Sequence, residues 1–288
     1  MPVAIVARRL TTTNARIARA GGPGWRLLTP ERALERLECG DIALGRLDVR
    51  PSLDGVDGSL SALGELAARG VRVLNPPDVL LAAHDKLLTA RLLEGAGLPH
   101  PPTAVATRTR LPRVSFPAVV KPRFGSWGRE VVVCNDDGEL YEHVRTLLGN
   151  PWFDEQGAIV QELVAPQGFD VRVVVAAGRI VGAARRVAAP GEWRTNIALG
   201  GRRERVAPPA ATQVLALAAA RVAGADLIGV DLLPTNDGWT ILELNGAVEF
   251  TADYSLGRDV FAAVADELTS AAHDAGGTAA LAQALDVG

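Results

Sequence analysis

Short apolar runs alternate with amphipathic stretches through the first hundred residues. Residues 3–7, 25–28, 41–47 and 71–74 predict strands, and the segments between them predict helices. Thr29 ahead of Pro30 caps a helix over 30–37, because proline suits the first helical position. Leu60, Leu63, Leu66 and Ala67 recur at helical spacing until Gly70 stops them. Pro76 and Pro77 open a further helix, and another runs over 85–94. Strand and helix in alternation predict an α/β lobe with a parallel sheet.

A proline-rich connector at 98–102 marks a change to antiparallel grammar. Strands over 116–121 and 129–134 flank a small glycine loop, followed by a helix over 138–148 and a strand over 158–164. One hairpin joins 170–176 to 179–187 about Ala177-Gly178. A helix over 209–223 precedes a second hairpin, 227–234 with 239–245. A last helix covers 258–272.

The chain has 288 residues, of which 48% are hydrophobic and 22% charged, so it has enough apolar material for a folded core. A net charge of -3 offers no basic field for nucleic acid. No apolar run approaches the ~18 residues of a membrane span, and residues 1–6 lack the pattern of a secretory signal. Cys39 and Cys134 are too few for a disulfide framework and read as buried. The expectation is a cytoplasmic protein without nucleic-acid or membrane partners. Of the 30 basic residues only Lys86 and Lys121 are lysine, which is either chance in an arginine-biased chain or a demand for a compact ammonium.

Lys121 ends a strand at the mouth of the loop Gly125-Ser126-Trp127-Gly128. Backbone N–H groups in such a loop can approach phosphate oxygens, and lysine adds a point charge; an ordinary hairpin turn is the plainer alternative. In the second hairpin, folding about 236–238 sets Asp231 opposite Glu243, and the strand period puts Asn245 on the same face. Two carboxylates and an amide oxygen suit Mg²⁺ held with phosphates. A solvated polar face is the alternative, and the apolar flanks disfavour it. Between these motifs lie Arg172, Arg185, Arg186 and Arg194, followed by Thr195-Asn196, either a solubilising surface or a site for planar anions. His84, His100, His143 and His273 show no catalytic or metal spacing and are assigned to the surface.

In this order, the motifs resemble the ATP-grasp superfamily, and within it the RimK-type amino-acid ligases, most of all the LysX-like ligases that use an amino-group carrier protein. The resemblance covers about residues 40–270. It rests on His84-Asp85-Lys86-Leu87, Lys121-Pro122 with the glycine loop, Gln161-Glu162-Leu163, Asp170-Val171-Arg172, Arg194-Thr195-Asn196, Asp231, and Glu243-Leu244-Asn245. It implies an α/β fold of three lobes: an N-terminal parallel lobe at 1–84, a central lid lobe at 85–164, and a C-terminal antiparallel lobe with the metal site at 165–288. By the same resemblance Lys86, Lys121, Gly125, Ser126, Trp127 and Gly128 contact ATP. Gln161, Glu162 and Leu163 line the adenine slot, and Asp170 approaches the ribose. Asp231, Glu243 and Asn245 hold Mg²⁺, two ions in this family. Arg172, Arg194 and Asn196 are the implied catalytic residues, stabilising a phosphorylated carboxylate that an amine then attacks. An amino acid resembling glutamate or α-aminoadipate, a small acidic carrier protein and homo-oligomerisation are implied as well.

Gly246-Ala247-Val248 replaces the histidine that carrier-dependent ligases tend to have after the asparagine, and Ile197-Ala198-Leu199 lacks an arginine before Gly200-Gly201. Both departures lie near the amino-acid pocket. A glutamate ligase acting on a peptide, protein tail or small amine is therefore an alternative. So are a nucleotide-binding regulator without turnover and an unrelated phosphoryl or nucleotidyl transferase. The regulator predicts eroded metal ligands, yet all three are present, and the transferase predicts a Walker or kinase loop that this chain lacks.

Overall fold

The computed structural model describes residues 3–285, with side chains through residue 272. β1 (Val3–Val6), α1 (Thr12–Ala20), β2 (Trp25–Leu28), α2 (Pro30–Arg36), β3 (Ile42–Gly45), α3 (Leu60–Ala68), β4 (Arg72–Leu74) and α4 (Pro77–His84) follow the predicted alternation. The four strands form a parallel sheet in the order β2-β1-β3-β4. Thr11 and Thr29 start α1 and α2 by accepting hydrogen bonds from the backbone N–H of Asn14 and Arg32. Both faces of β1 are covered, as a parallel sheet requires. Val3 and Ile5 join a core with Val174, Phe261 and Val264 of the C-terminal region, whereas Ala4 and Val6 join one with Leu63, Leu66 and Leu80.

α5 (Lys86–Gly95) begins one residue after α4 ends, the break falling at Asp85, whose side chain accepts from the N–H groups of Leu87 and Leu88. The next sheet is antiparallel. β5 (Thr103–Ala106), β6 (Ala118–Pro122), β7 (Val132–Cys134) and β8 (Ala158–Glu162) lie in the order β5-β8-β6-β7, with α6 (Asp137–Leu147) and α7 (Pro151–Gln156) in the connection from β7 to β8.

The third sheet contains β9 (Phe169–Ala176), β10 (Arg179–Val187), β11 (Arg202–Arg205), β12 (Leu227–Thr235) and β13 (Gly238–Asn245), ordered β11-β10-β9-β12-β13 and antiparallel throughout. α8 (Ala210–Ala223) lies between β11 and β12 in the chain and packs Ala216, Ala219 and Ala220 into one core with Val173, Val175 and Val230. Leu93 of α5 enters that core as well. α9 (Val260–Leu285) closes the opposite face through Phe261 and Val264 and continues beyond the predicted end at 272.

Three elements, β5, α7 and β11, have no counterpart in the hydrophobic pattern. Cys134 is buried as expected, but Cys39 is exposed because it lies in the turn before β3. Among the described residues no helix is long and apolar enough to cross a membrane.

Candidate active site

A cavity of about 380 Å³ opens between β6, β8, the glycine loop and one face of the C-terminal sheet. Asp85 organises one wall. Besides capping α5, its carboxylate accepts from Arg123 Nε and Nη2 at 2.7 and 2.5 Å, tying the helix start to the end of β6. Lys86 and Lys121 are thereby delivered to the same cavity from a helix and a strand. Lys86 donates to the Gly125 carbonyl at 2.5 Å and lies 3.8 Å from Glu243. Lys121 is 7% exposed and donates to Gln161 Oε1 at 2.8 Å. Burial pulls its pKa down to about 8, against the opposing charge of Glu243.

Gln161 is held in turn by His100, whose Nε2 lies 3.2 Å from the Gln161 amide nitrogen, and by Thr103 Oγ1 at 2.8 Å. His100 Nδ1 faces the Ile241 carbonyl at 2.8 Å, so that nitrogen carries the proton and Nε2 accepts. Burial lowers the His100 pKa to about 4, which keeps the ring neutral. The surface assignment for the histidines is therefore corrected at two positions. His84 also lines the cavity, nearly enclosed, with Nε2 3.0 Å from the Leu47 carbonyl; His143 is half-buried on α6. The side chain of His273 lies outside the described residues.

The C-terminal sheet supplies the floor. Asp231 is the register partner of Glu243 on one side and Arg172 on the other. Arg172 Nε and Nη2 donate to the two oxygens of Asp231 at 2.6 and 2.7 Å, and Arg186 Nη2 donates to the same carboxylate at 2.8 Å. Burial alone would raise the Asp231 pKa, yet the two guanidinium groups hold it well below the carboxylate range. Asp170, expected beside a ribose, is 0% exposed and spends both oxygens on Arg186 and on Thr195 Oγ1. It braces Arg186 while still bordering the cavity. Arg186, left out of the expected site, is the hub of this network, because its position on β10 faces Asp170 in register.

The glycine loop closes against the segment after β10. Arg194 pairs with Glu192 at 2.8 Å and reaches the Gly128 carbonyl at 3.1 Å. Gly128 has φ +71°, and a Cβ there would lie 2.8 Å from Asn196 Oδ1, so only glycine lets the loop lie this close. Gly125, Ser126, Trp127, Gln161, Glu162 and Leu163 all border the cavity, Trp127 with much of its ring exposed.

Glu243 and Asn245 fit a hard cation best. Among the described residues Glu243 has only the long ion pair to Lys86. The Asn245 amide nitrogen is buried and, among the described residues, has no hydrogen-bond partner, which leaves that amide free to present its oxygen instead. Asp231 shares their face, but both its oxygens are occupied by arginine. Among the described residues no group of three or more His, Cys, Asp or Glu is placed to hold a metal by itself. The donor set therefore suits Mg²⁺ that takes its remaining ligands from phosphate and water.

A RimK-like ATP-grasp domain model matches residues 83–268. Glutamate–LysW ligase ArgX of Sulfurisphaera tokodaii is 32% identical over 219 residues, covering 72% of this chain and 76% of that one. The tetrahydromethanopterin:alpha-L-glutamate ligase of Methanosarcina acetivorans is 30% identical over 244 residues, with 73% and 75% covered. The crystal structure of a RimK domain ATP-grasp protein from Sphaerobacter thermophilus superposes with a TM-score of 0.66 at 21% identity, over 93% of this chain and 100% of that one.

Proposed function

Because the chain belongs to the RimK-like ATP-grasp family and is thus an amino-acid ligase that forms carbon–nitrogen bonds, we propose that it joins a glutamate-like amino acid to a carboxylate of a carrier protein. The relatives named above are both glutamate ligases, one of them acting on LysW. The carrying observation is the convergence of both lysines, the Glu243–Asn245 edge and the Arg172–Asp231–Arg186 network on one cavity.

In this reading the three lobes, 1–84, 85–164 and 165–288, meet around that cavity. Lys86 and Lys121 hold ATP phosphates beneath the glycine loop, and Gln161 to Leu163 border the adenine. Glu243 and Asn245 hold Mg²⁺, which screens phosphate charge when bound. Asp231, on the same face and held by Arg172 and Arg186, would add a third oxygen ligand to that edge. The acceptor carboxylate takes the γ-phosphoryl group, giving an acyl phosphate and ADP. The amine then attacks the acyl carbon, loses its proton, and phosphate leaves. Charge accumulates on phosphoryl and acyl oxygens at each stage, and Arg172 and Arg194 are the cations that meet it, with Asn196 orienting the carboxylate. Arg194 also bonds the Gly128 carbonyl, so closing the loop and positioning this cation are one event.

The test is ADP release from MgATP, screened with glutamate and α-aminoadipate against carrier proteins and peptides ending in glutamate. Release that needs both an amino acid and an acceptor supports the assignment. Absence of ADP with every pair removes it.

A further inference from the structure

The cavity face of the C-terminal sheet changes sign from one edge to the other. Glu243 and Asp231 stand on β13 and β12, Arg172 and Asp170 on β9, Arg186 on β10 and Arg203 on β11. Arg203 is the register partner of Arg186, and directly opposed residues share a face. Arg203 accordingly lines the cavity. Its neighbour Glu204 pairs instead with Arg185 and Arg202.

The partners of the other cavity cations set Arg203 apart. Lys86 faces Glu243, Arg172 and Arg186 are ion-paired with Asp231 and Asp170, and Arg194 is held by Glu192. Lys121 donates to Gln161, and Arg129 is exposed on the glycine loop. Among the described residues Arg203 has neither an ion pair nor a hydrogen bond, and its Nε is shut off from solvent without an acceptor. Arg203 is half-buried, and its enclosed Nε lacks an acceptor that a carboxylate matching the guanidinium fork would supply.

Position then selects the ligand. β11 lies two strands from β9, about 10 Å at ~4.8 Å per strand, on the side away from Glu243. A group bound there is remote from the reacting carbonyl near Arg172. In an amino acid whose α-amine attacks, the side-chain carboxylate is the anion farthest from that nitrogen. We propose that Arg203 binds the side-chain carboxylate of the incoming amino acid and so determines preference for dicarboxylic substrates. This deepens the ligase reading and rests on it.

The experiment compares glutamate and α-aminoadipate with glutamine and norleucine, in which an amide and a methyl group respectively replace the side-chain carboxylate, in ADP release at saturating MgATP. In Arg203→Gln the KM for the dicarboxylic substrates should rise about ten- to a hundredfold. The KM for glutamine and for the acceptor should stay as in the unmodified protein. Arg203→Lys should recover part of the loss, since it restores the charge without the fork. Unchanged MgATP affinity by calorimetry shows that the variant is folded with an intact nucleotide site. A dicarboxylic KM within twofold of the original overturns the proposal, as does a loss that falls on the acceptor. Calorimetry of glutamate binding to protein loaded with a non-hydrolysable ATP analogue separates this from the ligase reading. Binding lost in Arg203→Gln supports the proposal even without turnover, and absence of binding to the unmodified protein overturns it.

Discussion

Arg172 donates to both oxygens of Asp231 from the adjacent strand, at 2.6 and 2.7 Å, and Arg186 adds a third hydrogen bond at 2.8 Å. The two arginines are nevertheless unequal. Arg186 also neutralises Asp170, so its removal leaves two buried carboxylates short of a partner, whereas removing Arg172 leaves Asp231 one. Arg186→Met should cost about 3–5 kcal/mol of stability, the range for breaking a buried pair. Arg172→Met should cost less in stability while abolishing turnover. Urea unfolding of both variants, beside ADP release, checks the contrast.

Lys121 carries a pH dependence. With its pKa lowered to about 8, the free protein holds it increasingly neutral above pH 8, while a phosphate contact needs the ammonium. MgATP binding at pH 9 should therefore take up a proton, and affinity should fall by up to about tenfold per pH unit above 8. Calorimetry in buffers of different ionisation enthalpy measures the uptake. Lys121→Ala should bind weakly and without this uptake; full uptake in that variant would assign the proton elsewhere.

His100 fixes which end of the Gln161 amide meets Lys121. His100→Asn keeps a donor toward the Ile241 carbonyl but loses the acceptor opposite Gln161, whereas His100→Gln keeps that acceptor. The ATP KM should rise about fivefold in the asparagine variant, the worth of one hydrogen bond, with kcat little changed and the glutamine variant near normal. The acid behaviour has a definite sign. Burial depresses the folded pKa to about 4 from 6.5, so the unfolded chain binds more protons between those values and stability rises with pH across that window. His100→Gln should flatten the rise in thermal midpoint between pH 4 and 6.5.

The metal edge separates charge from ligand count. Glu243→Gln is nearly isosteric but loses the charge that offsets a cation. Its turnover should be nearly abolished, and extra Mg²⁺ should do little. Asn245→Ala loses a neutral ligand that water can replace, so raised Mg²⁺ should restore much of its activity. Steady-state rates over a Mg²⁺ series decide the matter, and equal rescue of both variants would contradict the assignment.

The hairpin carrying these residues shows how far the sequence was legible. A three-residue turn at 236–238 predicts Asp231 opposite Glu243, and the two are indeed partners. The route differs, because the turn holds two residues, Asn236 and Asp237, and a bulge at Leu242 restores the register. Bulges leave no trace in a period-two pattern. β11 reads Arg202-Arg203-Glu204-Arg205, with no apolar residue to mark a strand, and exists through its pairing with β10. Lys86, Lys121 and Glu243 stand out by residue type and flanks, and they line one cavity. Arg186, Arg203 and His100 acquire meaning from neighbours 16 to 141 positions away, which no local pattern encodes. The tie of Asp170 to Arg186 on the next strand is hidden from the sequence for the same reason.

The most direct test of the ligase assignment is the fate of the acceptor carboxylate oxygen. With that carboxylate labelled with ¹⁸O, turnover in the presence of glutamate and MgATP should place one labelled oxygen in the released phosphate for each amide formed, with ADP as the other product. Phosphate without label, or AMP and pyrophosphate as products, would contradict the acyl-phosphate route.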